Sequence, residues 1–158
     1  MSTRKGRIVA AVVAVTMATM AGGARAADRP NLGQPVSAAD LAVWDSSILP
    51  DGRGLPRGEG TAAQGAKVYA DKCTACHGEG GKGGTSSALL PRGPISSING
   101  AEKTIGNFWP YATTLFDYIR RAMPWQQPKS LSSDEVYALT AWLLAVNKVI
   151  GEADVMNA

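Results

Sequence analysis

Apolar residues recur at helical spacing in three segments of the chain. The first segment begins at Thr61 and leads into Cys76, with apolar residues three and four positions apart: Ala66, Tyr69, Ala70 and Cys73. This spacing is the period of one helix face and predicts a helix. Five closely spaced glycines follow between positions 78 and 84. They predict a long irregular loop that runs to about Thr104.

A second helix is predicted over residues 111–121. Its apolar face consists of Leu115, Tyr118, Ile119 and Ala122. Pro110 stands at a position that suits a helix start, and Pro124 ends the segment because proline cannot continue a helix.

The last helix has the clearest pattern and should run to about Lys148. Ser132 and Glu135 form a predicted capping box at its start. The apolar residues that follow are Val136, Leu139, Leu143 and Val146, with Trp142 beside them. No alternation long enough to build a sheet is present, so the predicted fold class is all-α.

The segment before the first helix, residues 27–60, is rich in Pro, Gly and Asp. It contains one short helical signal, in which Ser37 and Asp40 could form a capping box ahead of Leu41 and Trp44. Residues 50–52 and 55–58 have the composition of turns. We interpret the segment as an ordered N-terminal extension of low regularity, and a disordered linker remains the alternative.

Residues 1–26 have the organisation of a cleavable secretory signal peptide. Basic residues lead into an apolar run from Ile8 to Ala21, and Ala24-Arg25-Ala26 is a small-x-small cleavage site. The run is too short to span a bilayer comfortably. The sequence therefore predicts a periplasmic protein without a stable membrane anchor after cleavage.

The position of the basic residues changes the meaning of the formal charge of +3. Four of the 16 Lys and Arg lie before residue 27, so cleavage would leave 12 of them against 13 Asp and Glu. A mature protein near neutrality gives no reason to expect a nucleic-acid partner.

Both cysteines and the one histidine of the chain lie in the pentapeptide Cys73-Thr74-Ala75-Cys76-His77. This is the attachment signature of c-type haem. Positions i, i+3 and i+4 share one face of a helical turn, so both thiols can reach the vinyl groups while the imidazole meets the iron. A redox dithiol and a structural zinc site are the alternatives, and zinc would need a fourth ligand beyond these three.

The sixth iron position must be filled from outside this motif, and methionine is the usual ligand. Signal cleavage would leave Met123 and Met156. Met156 lies near the C-terminus, where we expect fraying. Met123 directly follows the second helix and precedes Pro124, so it is the predicted ligand.

Aromatic residues near these positions are expected to exclude water and to bind the haem propionates: Trp109, Tyr111, Tyr118 and Trp125. Arg120 and Arg121 could pair with a propionate, although a solvated helix face is the commoner role of such a pair.

The chain resembles the class I cytochromes c over residues 61–150. The matching features are the Cys73 to His77 motif, the Met123-Pro124 pair, Gly65 and Tyr69 on the first helix, and Leu139 and Trp142 on the last. In that family the first and last helices cross at a right angle through such residues. The resemblance implies helices wrapped around one covalently bound haem c, with residues 151–158 as a C-terminal tail.

A closer resemblance covers residues 44–150. Residues 103–125 and the segment from Trp44 to Pro56 are similar to the cytochrome subunits of bacterial sulfite dehydrogenases and to the haem domain of sulfane dehydrogenase. This implies a subunit that accepts electrons from a molybdenum-containing catalytic subunit and passes them to a downstream cytochrome c or oxidase. With one haem motif, the single-haem sulfite dehydrogenase subunit is the better match.

Electron transfer without substrate chemistry is therefore the predicted function, with no catalytic residue. An independent soluble electron shuttle is one alternative, and a haem enzyme or ligand-binding protein with a labile distal position is another.

Overall fold

The computed structural model describes residues 32–91 and 102–158. Its elements are α1 (Ala38–Trp44), β1 (Glu59–Thr61), α2 (Ala62–Lys72), α3 (Thr74–His77), a 3₁₀ turn (Glu79–Gly81), α4 (Ile105–Phe108), α5 (Ala112–Ala122), α6 (Ser133–Val146) and β2 (Val155–Asn157). Two units are distinguished, Met1–Leu41 and Ala42–Ala158. The predicted signal peptide lies outside the described residues.

Helix α2 begins where the sequence predicts, but its buried face differs from the expected one. The Gln64 N–H donates to Thr61 Oγ1 (3.3 Å) and the Thr61 N–H donates to Gln64 Oε1 (2.8 Å), which forms a capping box. The buried residues are Ala62, Gly65 and Tyr69, whereas Ala66 and Ala70 are exposed. The helical spacing of the apolar residues is confirmed. The pattern did not identify the buried face, because alanine is small enough to lie on either face of a helix.

Helix α6 is the centre of the fold. The Glu135 N–H donates to Ser132 Oγ (3.2 Å) and the Ser132 N–H donates to Glu135 Oε2 (2.8 Å), so the predicted capping box is confirmed. Every residue from Val136 to Ala141 is buried, and so is Leu143. A helix that is buried nearly all round must be surrounded. Here α2, α5 and β1 all pack against it.

Helices α2 and α6 approach most closely at Gly65. A Cβ at this position would overlap the carbonyl oxygen of Ala138 and press on Trp142. One turn later the rings of Tyr69 and Trp142 stack with their centroids 4.0 Å apart. Leu139 is buried in the same core. The expected meeting of Gly65 and Tyr69 with Leu139 and Trp142 is therefore confirmed, and so is the class I cytochrome c fold.

A small sheet, which the sequence pattern did not predict, closes the domain. Strands β1 and β2 pair antiparallel, with Gly60 opposite Met156. Three-residue strands are too short to display alternation, which is why the pattern showed none. The pairing also holds Met156 half-buried against the core, so the expected fraying near the C-terminus was wrong.

The described part of the N-terminal extension is ordered. In α1 the Asp40 N–H donates to Ser37 Oγ (3.1 Å), which is half of the predicted capping box. The predicted turn at residues 50–52 is present, with the Gly52 N–H donating to Leu49 O (3.0 Å). Ile48 and Leu55 pack against the core of the second unit. These contacts fit the interpretation of an ordered extension for residues 42–60.

Among the described residues, no helix has the length and apolar character needed to cross a membrane.

The contact at Gly65 yields a stability prediction. Gly65→Ala places a methyl group where the Ala138 carbonyl lies, so α2 and α6 must separate. We expect a loss of about 1–3 kcal/mol in the free energy of unfolding, the range for overpacked cores. Gly151→Ala is the matched control, since a Cβ there meets only ordinary contacts at 3.4–3.5 Å. Denaturant unfolding of both haem-loaded variants measures the difference, and equal stabilities would contradict the prediction.

Candidate functional site

An apolar cavity of about 440 Å³ lies beside α6. Its walls come from α2, α3, α5, α6 and the segments at residues 86–89 and 103–105. The large apolar residues that line it include Tyr69, Leu89, Ile105, Trp109, Leu115, Ile119, Leu131, Leu139 and Leu143. Cofactor sites are typically concave and mainly apolar in this way.

The Cys73 to His77 segment forms one wall of this cavity. Helix α2 ends at Lys72, Cys73 leaves the helical conformation (φ −123°, ψ −30°), and α3 follows at once. The N–H groups of Cys76 (3.1 Å) and His77 (3.0 Å) both donate to the Cys73 carbonyl. This single turn places both free thiols and the imidazole on the cavity wall, as their spacing predicts.

The orientation of His77 is fixed by a backbone carbonyl. His77 Nδ1 lies 2.9 Å from Ser87 O. A carbonyl oxygen only accepts hydrogen bonds, so in the neutral imidazole Nδ1 carries the hydrogen and Nε2 keeps its lone pair. A neutral imidazole with Nδ1–H held by a carbonyl is the arrangement of a metal-ligating histidine.

The loop after His77 is fixed by further hydrogen bonds. The Gly83 N–H donates to His77 O (2.8 Å), and the Tyr69 hydroxyl donates to Gly78 O (2.7 Å). Gly78 has φ +74°, and a Cβ there would overlap the Gly83 carbonyl, so glycine is required. Burial raises the pKa of Tyr69, which keeps its hydroxyl protonated as a donor.

The structure places the two methionines on different parts of the molecule. Met123 follows the last residue of α5, its N–H donates to Ile119 O (3.0 Å), and its side chain lines the cavity. Met156 lies in β2 and does not line the cavity. Of the two candidates, only Met123 shares the cavity with His77.

Of the aromatic and arginine residues expected near the haem, only some line the cavity. Trp109, Tyr118 and Trp125 line the cavity, and Trp109 meets Tyr118 edge to face with centroids 5.3 Å apart. Tyr111 does not line it and is half exposed. Arg120 and Arg121 do not line it either, so the propionate role proposed for them has no support here.

The electrostatics of Cys73 differ from those of a reactive dithiol. Burial raises the pKa of the Cys73 thiol to about 11. Redox-active Cys-x-x-Cys thiols instead have lowered pKa values that favour the thiolate. The environment of Cys73 therefore argues against the redox-dithiol alternative.

One side-chain hydroxyl and one backbone carbonyl also belong to the cavity site, and the sequence pattern identified neither of them. Thr104 lines the cavity, is 5% exposed, and its Oγ1 has no partner at hydrogen-bonding geometry within the described residues. The other is the Ser87 carbonyl, which has no side-chain signature. An apolar cavity with two thiols, a neutral imidazole, a thioether and a buried free hydroxyl fits a macrocycle with apolar faces and polar substituents.

Helices packed in this order around such a cavity define a class of protein: a c-type cytochrome domain, whose function is electron transfer and whose cofactor is covalently bound haem c.

Comparison with known proteins gives the family. Residues 60–143, more than half of the chain, match the family described as cytochrome c oxidase, cbb3-type, subunit III, and the chain belongs to this family. It is also similar to a chain in the crystal structure of the sulfane dehydrogenase SoxCD from Paracoccus pantotrophus, with 35% sequence identity and a TM-score of 0.74. That match covers 82% of this chain and 64% of the other, so this chain spans less than two thirds of its length.

An ion pair beside the cavity joins α2 to α6. Lys72 Nζ lies 2.8 Å from Glu135 Oε1, and each side chain is about one third exposed. The hydrogen bond from Lys72 lowers the pKa of Glu135. The same bond raises the pKa of Lys72.

This ion pair predicts a pH-dependent contribution to stability. A lowered folded-state pKa stabilises the protein above the ordinary glutamate pKa of about 4.3, and that contribution is lost as the pH falls through the folded-state value. We expect Glu135→Gln to lose about 0.5 kcal/mol at neutral pH, as for a partly exposed pair. Thermal unfolding from about pH 7 to about pH 3 should show this loss shrinking. Glu152→Gln, at an exposed position, is the control. A difference that is constant over the whole range would contradict the role of the charge.

Proposed function

We propose that the chain is a single-haem electron-transfer cytochrome in which Cys73 and Cys76 form the thioether bonds and His77 and Met123 are the axial ligands. One observation carries this proposal. The four side chains line one apolar cavity, and the Ser87 carbonyl leaves the His77 Nε2 free to ligate.

When bound, haem c supplies a one-electron iron couple. The residues of the chain hold and shield the group. The Ser87 carbonyl orients the His77 ring, the backbone bond to Ile119 fixes Met123 at the end of α5, and the leucines of α5 and α6 exclude water. With His77 and Met123 both holding the iron, haem c would have no open position for a substrate, and the domain would have no substrate chemistry of its own.

The ligand assignment is tested by replacing each methionine in turn. The oxidised protein should show the weak near-red absorption band of sulfur ligation. We expect Met123→Ala to abolish this band and Met156→Ala to retain it, because only Met123 shares the cavity with His77. Loss of the band in Met156→Ala alone would overturn the assignment.

We further propose that this cytochrome is a periplasmic subunit that accepts electrons from a molybdenum-containing dehydrogenase of sulfite or a related sulfur compound. The similarity to a chain of SoxCD supports this, because it covers 82% of the chain and therefore extends beyond the predicted haem domain. The signal-peptide pattern supports export. A downstream cytochrome c or oxidase would receive the electrons.

The end of α1 provides a surface for such a partner. Val43 is 79% exposed and Trp44 is 82% exposed. Helix α1 has seven residues and none of them is buried. Exposed tryptophan is costly in water and is enriched at the energetic centres of interfaces. Ile48 and Leu55 pack on the core instead, whereas α1 has no buried residue and offers its apolar side chains to a partner.

The partner is tested with the double variant Val43→Ser/Trp44→Ser. We expect binding to the molybdenum subunit to weaken about tenfold or more, as for loss of a tryptophan anchor, while chemical reduction of the haem stays unchanged. The control is Val149→Ser/Val155→Ser, which removes apolar side chains at other exposed positions. Binding is measured by titration and electron transfer by sulfite-dependent haem reduction. Unchanged binding and reduction would favour an independent shuttle.

A further inference from the structure

Residues 46–56 of the extension, here called the strap, run along α5 and bind it near both of its ends. Near the start of α5, Thr113 Oγ1 donates to Pro50 O (3.4 Å). At its last turn, Arg121 binds Ser46. Met123 follows two residues after Arg121.

The Arg121 guanidinium joins the strap to α5 through several hydrogen bonds. Its Nη2 donates to Ser46 O (3.1 Å) and to Asp117 Oδ1 (2.8 Å). Its Nη1 donates to Ser46 Oγ (3.3 Å), and its Nε donates to Asp117 Oδ2 (3.3 Å). A planar guanidinium held on two nitrogens by one carboxylate has a fixed orientation. Asp117 therefore directs Arg121 toward the strap.

The remainder of the strap is anchored to the core. The hydroxyl of Tyr137, a buried residue of α6, donates to Pro56 O (2.8 Å). Ile48 and Leu55 pack against the same core. The ring of Tyr137 also contacts that of Phe116 on α5, with centroids 4.4 Å apart. The strap is thus attached to α6 as well as to α5, and it links the two helices outside the cavity.

The two sides of α5 have different partners. Thr113 and Arg121 bind the strap, and Asp117 binds Arg121. These three residues recur at steps of four and share one face. Leu115, Tyr118 and Ile119 line the cavity. On a helix of 3.6 residues per turn these two sets lie on roughly opposite sides. Helix α5 is therefore held between the cavity and the strap.

We propose that the strap is a brace that keeps α5 seated on the cavity, with Arg121 as a positioning residue for the axial ligand Met123. The proposal rests on the proposed ligation of Met123. Without the guanidinium, the last turn of α5 can move away from the cavity more easily. The Met123 thioether would then yield more readily to an external ligand.

The test measures how easily an added ligand displaces the methionine. Ferric haem-loaded protein is titrated with imidazole while the near-red sulfur band is followed. We expect Arg121→Ala to bind imidazole roughly fivefold more tightly than the wild type, the effect of losing about one net hydrogen bond to a charged group at the surface. The control Arg120→Ala removes the same charge from the same turn and should leave the affinity unchanged. Equal affinities for the two variants would overturn the proposal.

A second control separates positioning from general destabilisation. Glu135→Ala removes the capping box of α6 and the ion pair with Lys72, but it removes none of the hydrogen bonds between α5 and the strap. We expect it to lower the unfolding temperature at least as much as Arg121→Ala without tightening imidazole binding. A similar gain in affinity in Glu135→Ala would show that any loss of stability has this effect, and the positioning role would be refuted.

Two further measurements keep the outcomes distinct. If the wild type lacks the sulfur band, or if Met123→Ala retains it, the ligand assignment has failed and the brace fails with it. If the band behaves as expected but Arg121→Ala and Arg120→Ala bind imidazole alike, the brace alone has failed. Should Arg121→Ala not yield haem-loaded protein, Asp117→Asn replaces it, because it removes the charge that directs the guanidinium, and the same gain in affinity is expected.

Discussion

The close approach of α2 and α6 at Gly65 is the contact on which the rest of the structure depends. Because no side chain separates the helices there, Tyr69 can stack on Trp142 one turn later. The end of α2 is then fixed beside α6, and Cys73 follows directly after that end. The position of the thiols and the imidazole is thus set by a packing contact that begins about two helical turns before Cys73.

The two cavity walls that carry the proposed iron ligands are stabilised in different ways. On the His77 side, short-range hydrogen bonds between residues 69 and 87 fix both the loop and the ring. On the Met123 side, the ligand depends on where α5 lies, and α5 is placed by contacts with distant parts of the chain such as Ser46 and Tyr137. One proposed ligand is therefore held locally, and the other depends on the packing of the whole domain.

The sequence predicted most of what depends on local chemistry. The capping box at Ser132 and Glu135, the helix starts and the haem-binding pentapeptide are short-range signals, and the structure places them as expected. The hydrogen bond from His77 to Ser87 could not be predicted, because its acceptor is a backbone carbonyl that any residue would supply. The contacts of Arg121 with Ser46 span 75 positions and involve residue types that are common at surfaces. The pairing of β1 with β2 also joins segments that lie far apart in the chain, and no periodic pattern in the sequence indicates such a pairing.

Helix α2 packs on α6, the last helix of the chain, and this order in the sequence also affects how the protein is made. A chain synthesised from its N-terminus exposes Cys73 and Cys76 about sixty residues before Ala138 emerges, and α2 has no surface to pack on until then. Contacts between such distant segments form late, because the intervening loop must close first. During that interval both thiols are accessible on an unpacked segment. The order of folding thus leaves a period in which the cysteines can react with the haem vinyl groups before α2 packs against the final helix.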